Sequence, residues 1–159
     1  MALLVTRVAA RWLSRLALGT PEVVYTAVFL APMDRHRLLN RFPPVHPEVF
    51  AHHMTIWFRG DSADPGLEAL PLGQTVALKI LGHAHDDKAQ AVVVQPPTAL
   101  RPFGQKAHVT ISTAPGVLPV YSNTLLVQTW DAESARRGYP VLRGRVGWWD
   151  GQKERFNLP

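Results

Sequence analysis

The sequence has no cysteine among its 159 residues. This absence excludes disulfide bonds, cysteine-ligated zinc or iron–sulfur centres, and a thiol nucleophile. Charged residues are also scarce, at 18% of the chain, whereas hydrophobic residues make up 47%. A disordered polyelectrolyte has the opposite balance. The composition therefore predicts a folded chain whose chemistry depends on His, Ser, Thr, Tyr, Lys, Asp or Glu.

A long apolar run is missing as well. The longest nearly apolar stretch, Val23 to Met33, is about half of the roughly 20 residues that a membrane-spanning helix needs. We therefore expect no membrane span and an intracellular, cytoplasmic location. Lys and Arg number 17 against 12 Asp and Glu, which gives a net charge of +5. This balance favours anionic partners, and nothing in the sequence indicates an oligomeric state.

Residues 1–20 contain no acid. Arg7, Arg11 and Arg15 recur every four residues, so on a helix they share one face, opposite apolar side chains. We expect a basic amphipathic helix over residues 1–20. It fits a helix packed on the domain, an organelle transit peptide, or a surface for RNA or lipid.

Residues 21–159 have the pattern of a single α+β domain with mostly antiparallel strands. Strands are predicted at 23–30, 51–58, 107–113 and 141–149, with a hairpin formed by 75–81 and 89–95. A short helix is predicted from Asp34 to Asn40 because Asp34 can cap it and Pro43 forbids its continuation. A loop is predicted for residues 61–73. The pattern of residues 125–129 is compatible with a strand or a helix.

Two short segments follow one pattern: His53-Met54-Thr55-Ile56 and His108-Val109-Thr110-Ile111. Each is a His, an apolar residue, a Thr and a second apolar residue, inside a predicted strand. Strand side chains alternate between faces, so the His and Thr of each tetrad share one face while the apolar residues point to the buried side. By the same alternation Trp57 and Ser112 are predicted to continue these polar faces.

At these residues the sequence resembles the two-histidine (2H) phosphoesterase superfamily, whose signature is a pair of such tetrads on separate strands. The stretch from Pro102 to Asn123 further resembles the cyclic phosphodiesterase modules of RNA-repair and tRNA-ligase proteins. The resemblance covers most of Tyr25 to Trp149 and implies two lobes around a central groove, with one tetrad from each. It also implies a metal-independent hydrolase without a cofactor, acting on cyclic 2′,3′-phosphates of RNA ends or nucleotides.

The residue types suit that chemistry. Opening a cyclic phosphate requires a proton to be removed from water on one side of phosphorus and supplied to the leaving ribose oxygen on the other. His titrates nearest neutral pH, so His53 and His108 can serve as acid and base, in an order that the sequence leaves open. Thr55 and Thr110 can donate hydrogen bonds to the phosphate oxygens.

Four further residues are candidate substrate contacts: Trp57, Lys106, Ser112 and Tyr121. The rings of Trp57 and Tyr121 suit either the core or a stacked nucleobase. Lys106 precedes His108 by two residues and suits either a phosphate contact or a solvated surface.

Two other classes of function fit the composition less well. His83 and His85, with His46, His52 and His53, could hold a metal, but no compact set of carboxylates accompanies them. A non-catalytic RNA or nucleotide binder would suit the positive charge and five Trp. Binding alone, however, does not require two His at matched strand positions.

Overall fold

The computed structural model describes residues 21–59 and 66–159. The basic helix expected over residues 1–20 lies outside the described residues, as does the start of the loop expected over 61–73. No helix in the described part of the chain is long and apolar enough to cross a bilayer.

Strands dominate the described residues and belong to one sheet. They are β1 (Tyr25–Leu30), β2 (Glu48–Val49), β3 (His53–Phe58), β4 (Thr75–His85), β5 (Ala89–Gln95), β6 (His108–Thr113), β7 (Val141–Trp149) and β8 (Glu154–Arg155). Two α-helices accompany them in residues 21–59 and 66–159: α1 (Pro32–Arg41) and α2 (Tyr121–Thr129).

Six of the strands close into a ring in the order β1–β3–β6–β5–β4–β7, and β7 pairs back onto β1. All of these pairings are antiparallel. The short strands β2 and β8 pair with β6 and β7 respectively. Closure gives each long strand a neighbour on both sides, so its backbone groups are paired within the sheet.

The interior of the ring is filled by alternate side chains of the six strands. They form one buried core that includes Val28, Met54, Ile56, Leu78, Ile80, Val92, Val94, Val109, Ile111, Leu142 and Val146. Leu38 of α1 and Phe42, the residue that caps the end of this helix, add to this core. Because successive strand residues point to opposite faces, filling the interior leaves the intervening residues on the outside of the ring.

Helix α2 packs on the outer face of β5. Its Leu125 and Leu126 lie against Ala84, Ala89, Ala91 and Val93 in a second buried cluster. The alanines have almost no side chain, so the helix can come close to the sheet. Residues 125–129, for which the sequence allowed a strand or a helix, are helical. The helix is stabilised by packing of its apolar face on the apolar outer face of the sheet.

The predicted α+β class with mostly antiparallel strands is confirmed. The predicted strands occur where the alternation placed them, and the hairpin strand β4 extends to His85. The eight strands, however, belong to one continuous sheet. The strand pairing of the described residues therefore does not divide them into the two lobes that the resemblance implies.

We expect Gly144→Ala to destabilise the ring at the β1–β7 pairing. A Cβ atom at Gly144 would lie 2.6 Å from the Phe29 carbonyl oxygen and 2.7 Å from Cγ1 of Val28. Relieving this overlap has to shift backbone, which costs about 1–3 kcal/mol. Urea unfolding followed by circular dichroism should show the loss. Ala77→Ser, on the exposed side of β4, is the control, and an unchanged midpoint for Gly144→Ala would contradict the expectation.

Candidate active site

The two tetrads lie side by side because β3 and β6 are neighbours in the ring. Their antiparallel pairing is centred on Met54 opposite Val109, the second residue of each tetrad. Met54 and Val109 both point into the core. The His and Thr of each tetrad therefore project from the outer face, with His53 toward the Thr110 end of β6 and His108 toward the Thr55 end of β3.

A backbone kink precedes the first tetrad. Ala51 is fully buried and has a positive φ of 58°, a conformation that residues with a side chain rarely adopt. Its N–H donates to the Thr110 carbonyl at 2.8 Å, and Arg35 of α1 donates to the Phe50 carbonyl at 2.9 Å through Nη2. The kink is thus held from both sides, and it ties the start of β3 directly to the second tetrad.

The imidazole of His108 has a defined orientation. Its Nδ1 lies 2.8 Å from the carbonyl oxygen of Lys106. Because a carbonyl only accepts, Nδ1 carries the hydrogen and Nε2 keeps the lone pair in the neutral ring. Burial lowers the pKa of His108, and the Lys106 hydrogen bond opposes that shift in part.

The imidazole of His53 is held by aromatic rings. It stacks on Tyr25 with centroids 4.9 Å apart and contacts Phe29 at 5.8 Å. Burial, followed by the charges of His52 and His108, lowers the pKa of His53 to about 4. His108 lies on the neighbouring strand, and its charged form disfavours a second positive charge on His53.

The two threonines differ in their surroundings. Thr110 Oγ1 lies 2.8 Å from Oγ of Ser122 and 3.4 Å from the Pro119 carbonyl. Thr55 has no side-chain hydrogen bond to any described residue, so its hydroxyl is available. Ser122, at the start of α2 and fully buried, is a site residue that the sequence analysis missed, because nothing in a helix sequence indicates which strand residue it will touch.

Two predicted extensions of the polar faces fail because of β-bulges. In β3 the register shifts so that Thr55 lies opposite Ala27 but Trp57 opposite Thr26, which leaves Phe58 opposite Tyr25. Phe58, rather than Trp57, therefore shares the outer face with Thr55, and its ring lies 6.1 Å from that of Tyr25. A bulge adds one residue to a strand and so reverses the alternation beyond it.

The second bulge affects Ser112. The register of β6 against β5 shifts between Gln90 and Ala91, which places Ser112 opposite Gln90 instead of in line with Thr110. Ser112 is fully buried and donates to Oε1 of Gln90 at 2.7 Å. The hydroxyl of Ser112 is therefore already hydrogen-bonded within the protein, and the predicted substrate contact at Ser112 is not supported.

Lys106 and Tyr121 also have structural partners. The Lys106 ammonium donates to the carbonyls of Leu126 and Trp130, at 2.9 and 2.6 Å, at the end of α2. The Tyr121 hydroxyl donates to Asp86 at 2.7 Å. The backbone carbonyl of Lys106 thus orients the imidazole of His108. The positive charge of its side chain stabilises the C-terminal end of α2.

His83 and His85, two of the candidate metal ligands, lie in surroundings different from those of the tetrads. His83 stacks on Phe42 with centroids 4.7 Å apart, and its Nε2 lies 3.0 Å from Nε2 of Gln90. His83 and His85 line a cavity of about 500 Å³ beside Arg41. In residues 21–59 and 66–159 no group of three or more His, Asp or Glu has the proximity that a metal ion would need.

The fold is similar to that of a fungal RNA kinase. Its crystal structure superposes with a TM-score of 0.52 at 15% sequence identity, covering 83% of this chain and 43% of that one. The chain therefore spans less than half the length of this structural neighbour, and the likeness is one of fold. No protein-family model matches the chain, and no curated protein matches it in sequence.

We expect Lys106→Met to destabilise the protein, because it removes two charge-assisted hydrogen bonds from the end of α2. Such bonds contribute about 1.5–3 kcal/mol each, less after solvent compensation at a half-buried site. Thermal unfolding should therefore begin earlier in Lys106→Met than in Lys153→Met, which removes an exposed ammonium. Equal stability of the two variants would contradict the structural role.

We expect acid to destabilise the protein between pH 6.5 and about 4. In this range His53 is neutral when folded but protonated when unfolded, so the unfolded state binds the extra proton. The free energy of unfolding should fall by up to about 1.4 kcal/mol per pH unit for His53 alone, and His108 acts in the same direction.

Urea unfolding at pH 7.5, 6.0 and 5.0 measures this slope. His53→Gln should reduce it, whereas the control His36→Gln, at an exposed position on α1, should not. An identical slope in wild type and His53→Gln would show that this imidazole is not held neutral by the fold.

Proposed function

We propose that the protein is a metal-independent phosphodiesterase that hydrolyses 2′,3′-cyclic phosphates of RNA ends or nucleotides. The observation that carries the proposal is the pairing of the two tetrads at Met54 and Val109. It brings two imidazoles and two hydroxyls onto one patch of the outer face, which is the set of groups that this reaction needs.

The spacing suits a phosphate between the two rings. His53 and His108 are diagonal neighbours across an antiparallel pair, for which the separation is about 7–8 Å. A phosphorus centre placed between them has one imidazole on the side of the attacking water and the other on the side of the leaving ribose oxygen. One ring then removes a proton while the other supplies one.

The protonation states follow from the surroundings. Burial keeps both imidazoles neutral in the free protein at pH 7, so one must gain a proton for the reaction. An anionic phosphate bound between the rings raises their pKa values, because a nearby negative charge favours the protonated form. Nε2 of His108, with Nδ1 held by the Lys106 carbonyl, can accept or donate that proton without a change of tautomer at the other nitrogen.

The threonines bind the phosphate oxygens. Thr55 has a hydroxyl without a described partner, and Thr110 can turn its hydroxyl from Ser122 or Pro119 toward the ligand. Ser122 belongs to the first turn of α2, so the positive end of the helix dipole lies next to Thr110 and favours a negatively charged ligand. Hydrogen bonds to these oxygens strengthen as charge develops on them in the transition state.

RNA is the favoured source of the cyclic phosphate. The net charge of +5 favours an anionic partner, and the structural neighbour is by name an RNA kinase. The resemblance of the tetrads to those of 2H phosphoesterases points to the same substrate class.

A non-catalytic nucleotide or RNA binder is the second candidate. The low pKa of His53 favours it, since a ring that stays neutral with ligand bound could not act as the acid. The two candidates differ in one measurement, the appearance of a 2′- or 3′-monophosphate product.

We expect His53→Ala and His108→Ala each to lower kcat at least about 100-fold, because each removes one proton-transfer group. The assay incubates the protein with 2′,3′-cyclic nucleotides and with RNA ending in a cyclic phosphate, with and without chelator, and identifies the products. Activity should persist in chelator. In wild type, kcat/KM should follow a bell-shaped pH profile with its optimum on the acid side of pH 6.5, because one buried imidazole must be protonated.

His36→Ala is the matched control, since it removes an exposed imidazole from α1. Far-ultraviolet circular dichroism establishes that each variant is folded. Full activity in either tetrad variant would end the proposal. Tight binding of the cyclic nucleotide without any product would establish the binder instead.

A further inference from the structure

The outer face of the ring continues beyond the tetrads across β1, β7 and β4. Phe29 of β1 lies opposite His53 on one side and opposite Arg145 of β7 on the other. Adjacent strands are about 4.8 Å apart, so Arg145 is about 10 Å from His53 along this face. Phe29 is buried, and its ring lies 5.9 Å from that of Phe156. A ligand that extends from the tetrads in this direction therefore passes over Phe29 and Phe156 before it reaches Arg145.

A row of three aromatic rings crosses these strands. Tyr25 is paired with Phe58 on one side and with Trp149 on the other. The ring centroids are 6.1 and 6.3 Å from that of Tyr25, and the planes differ by 12° and 13°. Phe58 is 53% exposed, and Tyr25 and Trp149 are half-buried. Aromatic side chains presented on a sheet surface provide faces and edges on which nucleobases stack.

A stripe of cations follows on β7 and β4. Arg143 and Arg145 alternate with the buried Leu142 and Val146, so they point outward, and Lys79 is exposed on β4. Arg145 is held in place, because its Nε donates to the Gly73 carbonyl at 3.3 Å and its guanidinium lies 4.0 Å above the ring of Phe156. The ion pairs found among residues 21–59 and 66–159 involve neither arginine.

Few acidic residues lie near this part of the molecule, and Glu154 of β8 lies directly opposite Trp149. None of the six strands of the ring contains an Asp or a Glu. Glu154, on the short strand β8, acts on Tyr25, and Asp150 is neutralised by Arg155 at 2.7 Å. The positive charge of the outer face therefore lies on β7 and β4. The aromatic rings lie next to it, on β3, β1 and the end of β7.

We propose that the face formed by β1, β7 and β4 binds the nucleotides that precede the cyclic phosphate, so that the preferred substrate is a single-stranded RNA end rather than a free cyclic mononucleotide. This inference rests on the proposed function. Tyr25 and Trp149 stack with bases, and Arg143, Arg145 and Lys79 neutralise backbone phosphates. A single strand suits the face because its bases are free to stack, whereas those of a duplex are paired.

The kinetic experiment compares two substrates: a single-stranded RNA of about ten nucleotides, within the usual range of single-strand sites, ending in a 2′,3′-cyclic phosphate, and the corresponding cyclic mononucleotide. Wild type should have a kcat/KM at least about tenfold higher for the RNA. Arg143→Ala with Arg145→Ala should lower the ratio of the two kcat/KM values by about tenfold, because two phosphate contacts are lost.

A second experiment measures binding and does not depend on turnover. Fluorescence anisotropy with the same RNA ending in an ordinary 3′-phosphate gives the Kd and its dependence on salt. The double arginine variant should weaken binding and reduce the slope of log Kd against log salt by about 1.4, which is about 0.7 for each lost phosphate contact on a single strand. Trp149→Ala should weaken binding about tenfold with an unchanged slope, because a stacking contact carries no charge.

Arg136→Ala with Arg137→Ala is the matched control, since it removes two exposed arginines from the segment between α2 and β7. An equal loss of binding in this control would overturn the inference, as would equal kcat/KM values of wild type for the two substrates. If the mononucleotide is hydrolysed and the double arginine variant binds RNA normally, the inference fails while the proposed function stands. If neither substrate is hydrolysed but binding depends on Arg143 and Arg145, the proposed function fails and the RNA-binding face remains.

Discussion

The antiparallel pairing of β3 with β6 is the contact on which the candidate site depends. Met54 and Val109 lie opposite each other and are buried in the interior of the ring. Sliding one strand by a single residue would turn its own buried residue out of the core and its own His–Thr pair into it. The free energy of burying these two side chains therefore also holds the imidazoles and hydroxyls together on the outer face.

In the closed ring, the core residues and the candidate site residues lie on opposite faces of the sheet. Its interior holds the apolar core, and its exterior carries the tetrads, the aromatic row and the cations. Three pieces outside the ring then adjust the site: the buried kink at Ala51, the first turn of α2 through Ser122, and the backbone carbonyl of Lys106. Each acts on a single side chain or backbone group of a tetrad, so the two similar segments have different surroundings. His108 is oriented by a hydrogen bond and His53 by stacked rings.

Sequence patterns predicted the elements well where one periodicity runs unbroken. The alternation in both tetrad strands correctly separated the core residues from the outward His and Thr. It failed at Trp57 and Ser112, because a β-bulge at the last residue of each tetrad, Ile56 or Ile111, reverses the faces beyond it. No local signal marks these bulges. They appear only in the register of each strand against its neighbour, β3 against β1 and β6 against β5.

The sequence by itself determined which side chains of the two tetrads share a face, because the first and third residues of a regular strand segment point to the same side of the sheet. Only the tertiary structure decided that the two segments are neighbours, that Ser122 and the Lys106 carbonyl complete their surroundings, and that the ammonium of Lys106 stabilises a helix end. It also brought Tyr25, Trp149 and Arg145 to the same face as His53. Apart from the local contact of His108 with the Lys106 carbonyl, these contacts join residues that are 12 to more than 100 positions apart in the chain. They depend on the order in which the strands of the ring pair, and no single segment of the sequence specifies that order.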